Sequence, residues 1–221
     1  MKKSAIYFLL FWLAVAADLS IIVTGNESLR FYAKPLLMPL LMLALISSTP
    51  GKFSSIRLIV IGLFFSFLGD VFLMWDKYFI PGLICFLLTH VFYIIYFFRL
   101  ASKHGSYLKK NLWLILPLAV YAIGMVWFLF PKLGALATPV AIYAAVISTM
   151  LAACINLYEQ IQKSAYTFYI AGAFFFVISD SLLAINKFYQ SFPFAGIVIM
   201  STYVLAQYLI VRGVIAAKVD K

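Results

Sequence analysis

The sequence predicts an all-α, polytopic membrane protein of eight transmembrane helices, built as two parallel four-helix repeats with both termini cytoplasmic. Three observations carry this expectation. Apolar residues make up 66% of the 221 residues and charged residues only 11%, with a mean hydropathy of +1.06. The apolar residues fall into runs of near-bilayer length. An acidic motif occurs twice, 110 residues apart. A soluble domain carries about a quarter of its residues as Asp, Glu, Lys and Arg. This chain has too few to cover itself, so its solvent is largely lipid. The whole chain, 1–221, reads as one membrane domain, with repeat halves of approximately 1–108 and 109–221.

A helix needs about 20 apolar residues to cross about 30 Å of hydrocarbon. Eight segments qualify: 5–24, 34–49, 55–75, 79–99, 111–130, 135–157, 165–186 and 192–215. The first follows Met1-Lys2-Lys3 and contains Ala14-Val15-Ala16, features shared with cleavable leaders. Its apolar run continues past Asp18 to Val23, so it is read as a retained helix. The second is short and is expected to tilt or to re-enter. Turn residues mark the breaks: Gly25-Asn26, Pro50-Gly51, Pro81-Gly82, His104-Gly105, Pro131 and Pro193. All loops are brief, which leaves no room for a soluble domain.

Orientation follows from the cations. Both termini share a side with twelve Lys and Arg: Lys2, Lys3, Lys52, Arg57, Arg99, Lys103, Lys109, Lys110, Lys163, Arg212, Lys218 and Lys221. The opposite side has five: Arg30, Lys34, Lys77, Lys132 and Lys187. The positive-inside rule makes the richer side cytoplasmic. The net charge of +10 is thereby read as topology and attraction to anionic headgroups. Nucleic acid is excluded as a partner, because no basic stripe interleaved with exposed aromatics is present. Cys85 and Cys154 fall inside apolar runs and read as packing residues; two sulfurs make no zinc framework. No targeting domain is evident, which suits a bacterial inner membrane.

The repeat rests on Gly69-Asp70 in the third segment and Ser179-Asp180 in the seventh, each followed seven residues later by lysine, Lys77 and Lys187. Halves of four helices have the same orientation, giving a pseudo-two-fold axis along the membrane normal. That axis would let the two aspartates face each other across a central cavity. An Asp near mid-bilayer costs about 2.5–3.5 kcal/mol on insertion scales. It therefore needs either a partner on a neighbouring helix or a function, and the recurrence favours function. Asp18 and Asp76 lie near segment ends, Asp220 lies in the tail, and Glu159 lies where the sixth segment ends. His90 sits in the fourth segment with Tyr93 and Phe97 on its face, and the eighth segment has Tyr203 in its place with Gln207 one turn on. His90 reads as a hydrogen-bonded bundle residue or as part of a site. Lys34, Lys77 and Lys187 read as interfacial anchors or as partners of a phosphate headgroup. The polar positions differ between halves, which suits a substrate with unlike ends better than a symmetric ion path.

At these residues the sequence resembles the YhhN-like, or transmembrane-86, family of lysoplasmalogenases. The resemblance rests on Lys34-Pro35, Gly69-Asp70 with Leu73-Met74, Phe79 with Gly82, and His90 with Tyr93. In the second half it rests on Pro139 with Tyr143, Gly172 with Phe176, Ser179-Asp180-Ser181 with Asn186-Lys187-Phe188, and Tyr203 with Gln207. It spans nearly the whole chain. Each motif alone is weak, whereas the ordered set is fairly specific. The resemblance implies hydrolysis of the vinyl-ether bond of a lysoplasmalogen to a fatty aldehyde and glycerophosphoethanolamine or glycerophosphocholine, with no cofactor and no metal. It implies Asp70 and Asp180 as the catalytic pair. His90, Tyr93, Tyr143, Asn186, Lys187, Tyr203 and Gln207 follow as further residues of the pocket.

The chemistry suits such residues. Vinyl-ether hydrolysis starts with proton transfer to the β-carbon and passes through an oxocarbenium ion, so it needs a protonated acid and a nearby anion. Two carboxyl groups in unlike environments supply both, as in glycosidases. No activated serine or cysteine is required, and no Gly-x-Ser-x-Gly is present. A small proton-coupled transporter is the alternative reading, because parallel repeats with membrane acids also suit transport. An intramembrane aspartyl protease fits less well, since Phe67-Leu68 precede Gly69-Asp70 where Gly-x-Gly-Asp is expected. A membrane scaffold without chemistry is a further alternative.

Overall fold

A computed structural model describes residues 3–101 and 106–219. Within them the chain forms α1 (Lys3–Thr24), α2 (Glu27–Ala33), α3 (Leu37–Ser48), α4 (Phe53–Phe72), α5 (Phe79–Ala101), α6 (Tyr107–Lys110), α7 (Ile115–Leu133), α8 (Ala137–Ile155), α9 (Lys163–Ala184) and α10 (Ala195–Val219). Helices dominate because lipid offers the backbone no hydrogen bonds, and a helix satisfies its own. Seven described segments are long and apolar enough to cross a membrane. One of them, Leu112–Ile155, runs for 44 residues and turns back at Gly134 (φ +51°) into α7 and α8. The chain is thus an all-α, multi-pass integral membrane protein with seven or eight long apolar helices, depending on whether that segment is counted once or twice. Met1, Lys2, Lys103, His104, Gly105, Asp220 and Lys221 lie outside the described residues, as does the side chain of Lys218.

Most helix bounds fall close to the expected ones, and three departures have plain causes. The second segment begins earlier, with Ser28–Ser48 long enough to span. Arg30 and Lys34 conceal its apolar character in the sequence. Pro35 removes one backbone donor, and the helix passes through a short 3-10 link at Lys34–Leu36 before continuing as α3. Pro131 does not end its helix, which runs on to Leu133. The break comes at Gly134, whose positive φ other residues avoid. Pro81 also lies inside a helix, in the first turn of α5, where the missing N–H costs nothing.

The two most extensive pairings are α4 with α5 and α9 with α10. Both depend on glycine. A Cβ at Gly62 would come 2.3 Å from the Tyr93 ring. One at Gly172 would come 3.0 Å from backbone atoms of Ala206 and Ile210. Small residues of this kind let membrane helices approach until their side chains interlock. One continuous core joins α1, α3, α4, α5, α8, α9 and α10, with Phe11, Leu41, Leu63, Phe97, Tyr169 and Phe176 among its buried members. Helix α7 stays outside it, packed on α8 and on the end of α9, and most of its surface faces outward. Cys85 and Cys154 are free and buried, as packing residues should be.

After α9 the chain makes a π-helical segment at Ile185–Tyr189. Such widened turns break the regular helical register and recur at functional sites.

Candidate functional site

Two polar clusters lie side by side at the end of the bundle where α4 and α9 finish. The first surrounds Asp70, which is buried on α4. Its Oδ2 accepts a hydrogen bond from Tyr203 on α10 at 2.8 Å, and its Oδ1 lies 3.5 Å from Nζ of Lys34. Lys34 is itself buried, held there by the link that Pro35 imposes. A second ion pair stands next to it: Arg30 Nε is 3.3 Å from Oδ1 of Asp18, which is buried on α1. The cluster therefore balances two acids with two bases, which is how charge survives in a low-dielectric interior.

The second cluster surrounds Asp180 on α9. Tyr143 on α8 donates to its Oδ2 at 2.5 Å, and Nε2 of His90 on α5 lies 2.9 Å from the same oxygen. His90 Nε2 is also 3.2 Å from the Tyr143 hydroxyl. Since the phenol gives its proton to Asp180, Nε2–H of the imidazole donates to the carboxylate as well. That tautomer leaves Nδ1 as an acceptor; it is fully buried and has no hydrogen-bond partner among the described residues. His90 is fully enclosed, with its ring edge-on to Phe176 at 4.6 Å.

Phe176 joins the clusters, because its ring also meets that of Tyr203 at 5.8 Å. Each aspartate draws one partner from the long segment just before its own helix, Lys34 or Tyr143, and one from the far half of the chain, Tyr203 or His90. The aspartates do not bond each other.

A small cleft opens beside the second cluster. Phe79, Leu83, Val140, Tyr143, Asp180, Leu183, Ala184 and Phe188 line it. Asp180 is its one charged wall; the rest, apart from the Tyr143 hydroxyl, is apolar. Oδ1 of Asp180 has no partner among the described residues, and the side chain is 11% exposed. The Asp180 carboxyl thus has one oxygen fixed by two donors and one left for whatever occupies the cleft. Asp70 is not part of this lining.

The other residues expected from the sequence divide into two groups. Tyr93 and Gln207 are fully buried and belong to a hydrogen-bond chain one turn below Asp70. Tyr93 donates to Gln207 Oε1 at 2.7 Å, Gln207 Nε2 donates to Ser66 at 2.8 Å, and Ser66 meets Thr89 at 3.0 Å. Thr89 donates to the Gly62 carbonyl at 3.0 Å. Ser66 precedes Asp70 by one turn, and Gln207 follows Tyr203 by one turn, so this chain repeats the α4–α10 link at a second level. Lys187 pairs with Asp76 at 2.8 Å and sits over the Phe79 ring. Lys77 sits over Tyr78 and meets neither aspartate. Asn186 lies in the π-helical segment, with a buried Oδ1 that has no hydrogen-bond partner among the described residues. Sequence reasoning assigned no role in the site to Ser66, Thr89 or Asp76, and Phe176 entered it only as part of the resemblance. Ser66 alone had a signal, its one-turn spacing from Asp70.

Residues 29–214 match the YhhN family. Similar proteins include the human lysoplasmalogenase TMEM86A, 34% identical over 72% of this chain and 66% of its own length. The human lysoplasmalogenase TMEM86B is 31% identical over 71% of this chain and 62% of its own. A lysoplasmalogenase of Mycobacterium bovis is 28% identical over 86% of this chain and 72% of its own. The matched region is thus a little under two thirds of the length of the human relatives. No solved structure matches. With most of its length inside the family's bounds, the chain described above is a member of the YhhN family.

Proposed function

We propose that this protein hydrolyses the vinyl-ether bond of a lysoplasmalogen, with Asp180 as the acid. Three supports converge: the family, the names of its relatives, and the cleft. The observation that carries the reading is the open Oδ1 of Asp180 in an otherwise apolar slot. An alkenyl chain lying in that slot brings its double bond to the carboxyl group.

The reaction balances on this chain's own groups. The double bond takes the proton from Asp180 Oδ1 at its β-carbon, and the ether oxygen shares the resulting positive charge. The Asp180 carboxylate that remains faces this cation, with its charge spread towards the two donors on Oδ2. Water adds to the cationic carbon and returns a proton to Asp180. The hemiacetal then separates into aldehyde and glycerol hydroxyl. His90 and Tyr143 orient the acid. Asp70, with two donors converging on it, supplies a fixed anion and ties α10 to α4. General acid–base help of this kind is worth about 10²–10⁴-fold in rate.

The same reading includes two parallel halves with both termini on the cytoplasmic side. It is supported by the matched partner positions, Lys34 with Tyr143 and His90 with Tyr203.

The test is aldehyde release by purified protein from a lysoplasmalogen and from the ester-linked lysophospholipid. The vinyl ether should be cleaved, and Asp180→Asn should lose at least about 10²-fold in kcat while still inserting and folding. Cleavage of the ester alone, or undiminished turnover by Asp180→Asn, would overturn the proposal. Proton flux driven by a lipid substrate, without aldehyde, would favour transport.

A further inference from the structure

We infer that Lys187 is the phosphate subsite of the cleft and that Asp76 is a stand-in for the phosphate when no lipid is bound. The inference rests on the proposed lipid substrate and identifies how its headgroup is read.

Lys187 Nζ is held by Asp76 Oδ1 at 2.8 Å. Asp76 is 97% exposed and the lysine side chain 35%, so this pair sits at the surface, and water can take over the released carboxylate at little cost. The pair is not isolated from the cleft. Lys187 lies 4.8 Å over the ring of Phe79, and Phe79 packs edge-on against Phe188 at 5.6 Å. Both rings line the cleft that contains Asp180. The ion pair therefore joins the turn between α4 and α5 to the π-helical end of α9, with its lysine over Phe79, one wall of the slot.

The spacing fits one class of ligand. Lys187 follows Asp180 by seven residues, from the last turns of α9 into the π-helical segment, roughly 10 Å along the axis. In a lysoplasmalogen, the vinyl-ether carbon and the phosphorus are separated by the ether oxygen, three glycerol carbons and one ester oxygen, about 8 Å when extended at standard bond lengths. A lipid with its double bond at Asp180 thus brings its phosphate to Lys187. The other lysines fit less well: Lys34 is buried against Asp70, and Lys77 lies over Tyr78. An ammonium already facing a carboxylate is arranged for the exchange, since phosphate oxygens offer it an acceptor of the same kind.

A phosphate subsite and a plain structural ion pair predict different signs. Lys187→Gln should raise KM for lysoplasmalogen about tenfold with kcat nearly unchanged, as loss of one charge-assisted contact does. Asp76→Asn should lower KM about threefold, because it removes the competitor. Neither variant should alter KM for a 1-alkenylglycerol, which has the same bond and no phosphate. Shifts of both variants in the same direction, or equal shifts with the phosphate-free substrate, would overturn the subsite. Binding in nanodiscs gives a readout that needs no turnover. Wild type should prefer lysophosphatidylethanolamine over monoacylglycerol, and Lys187→Gln should lose that preference. If the preference holds in a protein that releases no aldehyde, the subsite stands and the proposed reaction falls. If aldehyde is released but the preference is absent, the reaction stands and the subsite falls.

Discussion

At the scale of single residues, the two membrane aspartates differ in what their oxygens do. Both oxygens of Asp70 face donors, whereas Asp180 keeps one oxygen open to the cleft. Removal of one of the Asp180 donors should therefore slow the reaction without abolishing it. Tyr143→Phe is expected to reduce kcat about tenfold, measured by aldehyde release, while Asp180→Asn removes the transferable proton itself. Gln207→Leu acts elsewhere. It strands the Tyr93 hydroxyl in an apolar interior and leaves Ser66 with Thr89 alone, which costs about 1–3 kcal/mol, so the apparent unfolding midpoint in detergent should fall while the folded fraction keeps its kcat. The aspartates and His90 were legible in the sequence because charge inside an apolar run is expensive and stands out. Their partners were less so. A tyrosine or serine in a membrane helix costs little and looks like its neighbours, and only the fold brings Tyr143 to Asp180 or Ser66 to Gln207. Asp76 was obscured for the opposite reason: an acid in a loop needs no explanation, so its pairing with a lysine 111 residues away leaves no trace in the sequence.

At the scale of helices, hydropathy located the spans and turn residues located most breaks, but prolines misled. Pro131 and Pro81 sit within helices, since a proline ends a helix only where the lost hydrogen bond and the ring cannot be accommodated. Glycine carried information that hydropathy ignores. Gly172 faces the backbone of α10, whereas a Cβ on Gly124 in α7 would meet nothing within 4 Å. Gly172→Ala should push α9 from α10 and destabilise the protein by about 1–3 kcal/mol, as overpacking does. Gly124→Ala should be neutral or slightly stabilising, because alanine is the better helix former. Apparent melting midpoints of the two variants in the same detergent check the contrast. A lower midpoint for Gly124→Ala than for Gly172→Ala would contradict the packing described for both helices.

At the scale of the whole molecule, the proposed orientation gives a direct expectation. Single cysteines introduced at Lys52 and at Lys77 should be labelled by a membrane-impermeant reagent from opposite faces of intact cells or vesicles, with Lys77 and Lys187 sharing a face. Labelling of Lys52 and Lys77 from the same face would reverse the assignment of one helix. The sequence made the long apolar spans and the two membrane aspartates visible. It did not show that the acids would each be completed by the other half.

That exchange has a consequence for cutting the chain. The donors that complete the two acids cross the middle of the sequence in both directions, Tyr203 to Asp70 and His90 to Asp180. A fragment ending at Ala101 keeps Asp70 and His90 and loses Tyr203 and Asp180, and a fragment starting at Tyr107 has the reverse inventory. Neither piece holds a finished acid until the two dock, so split expression restores both acids together or neither.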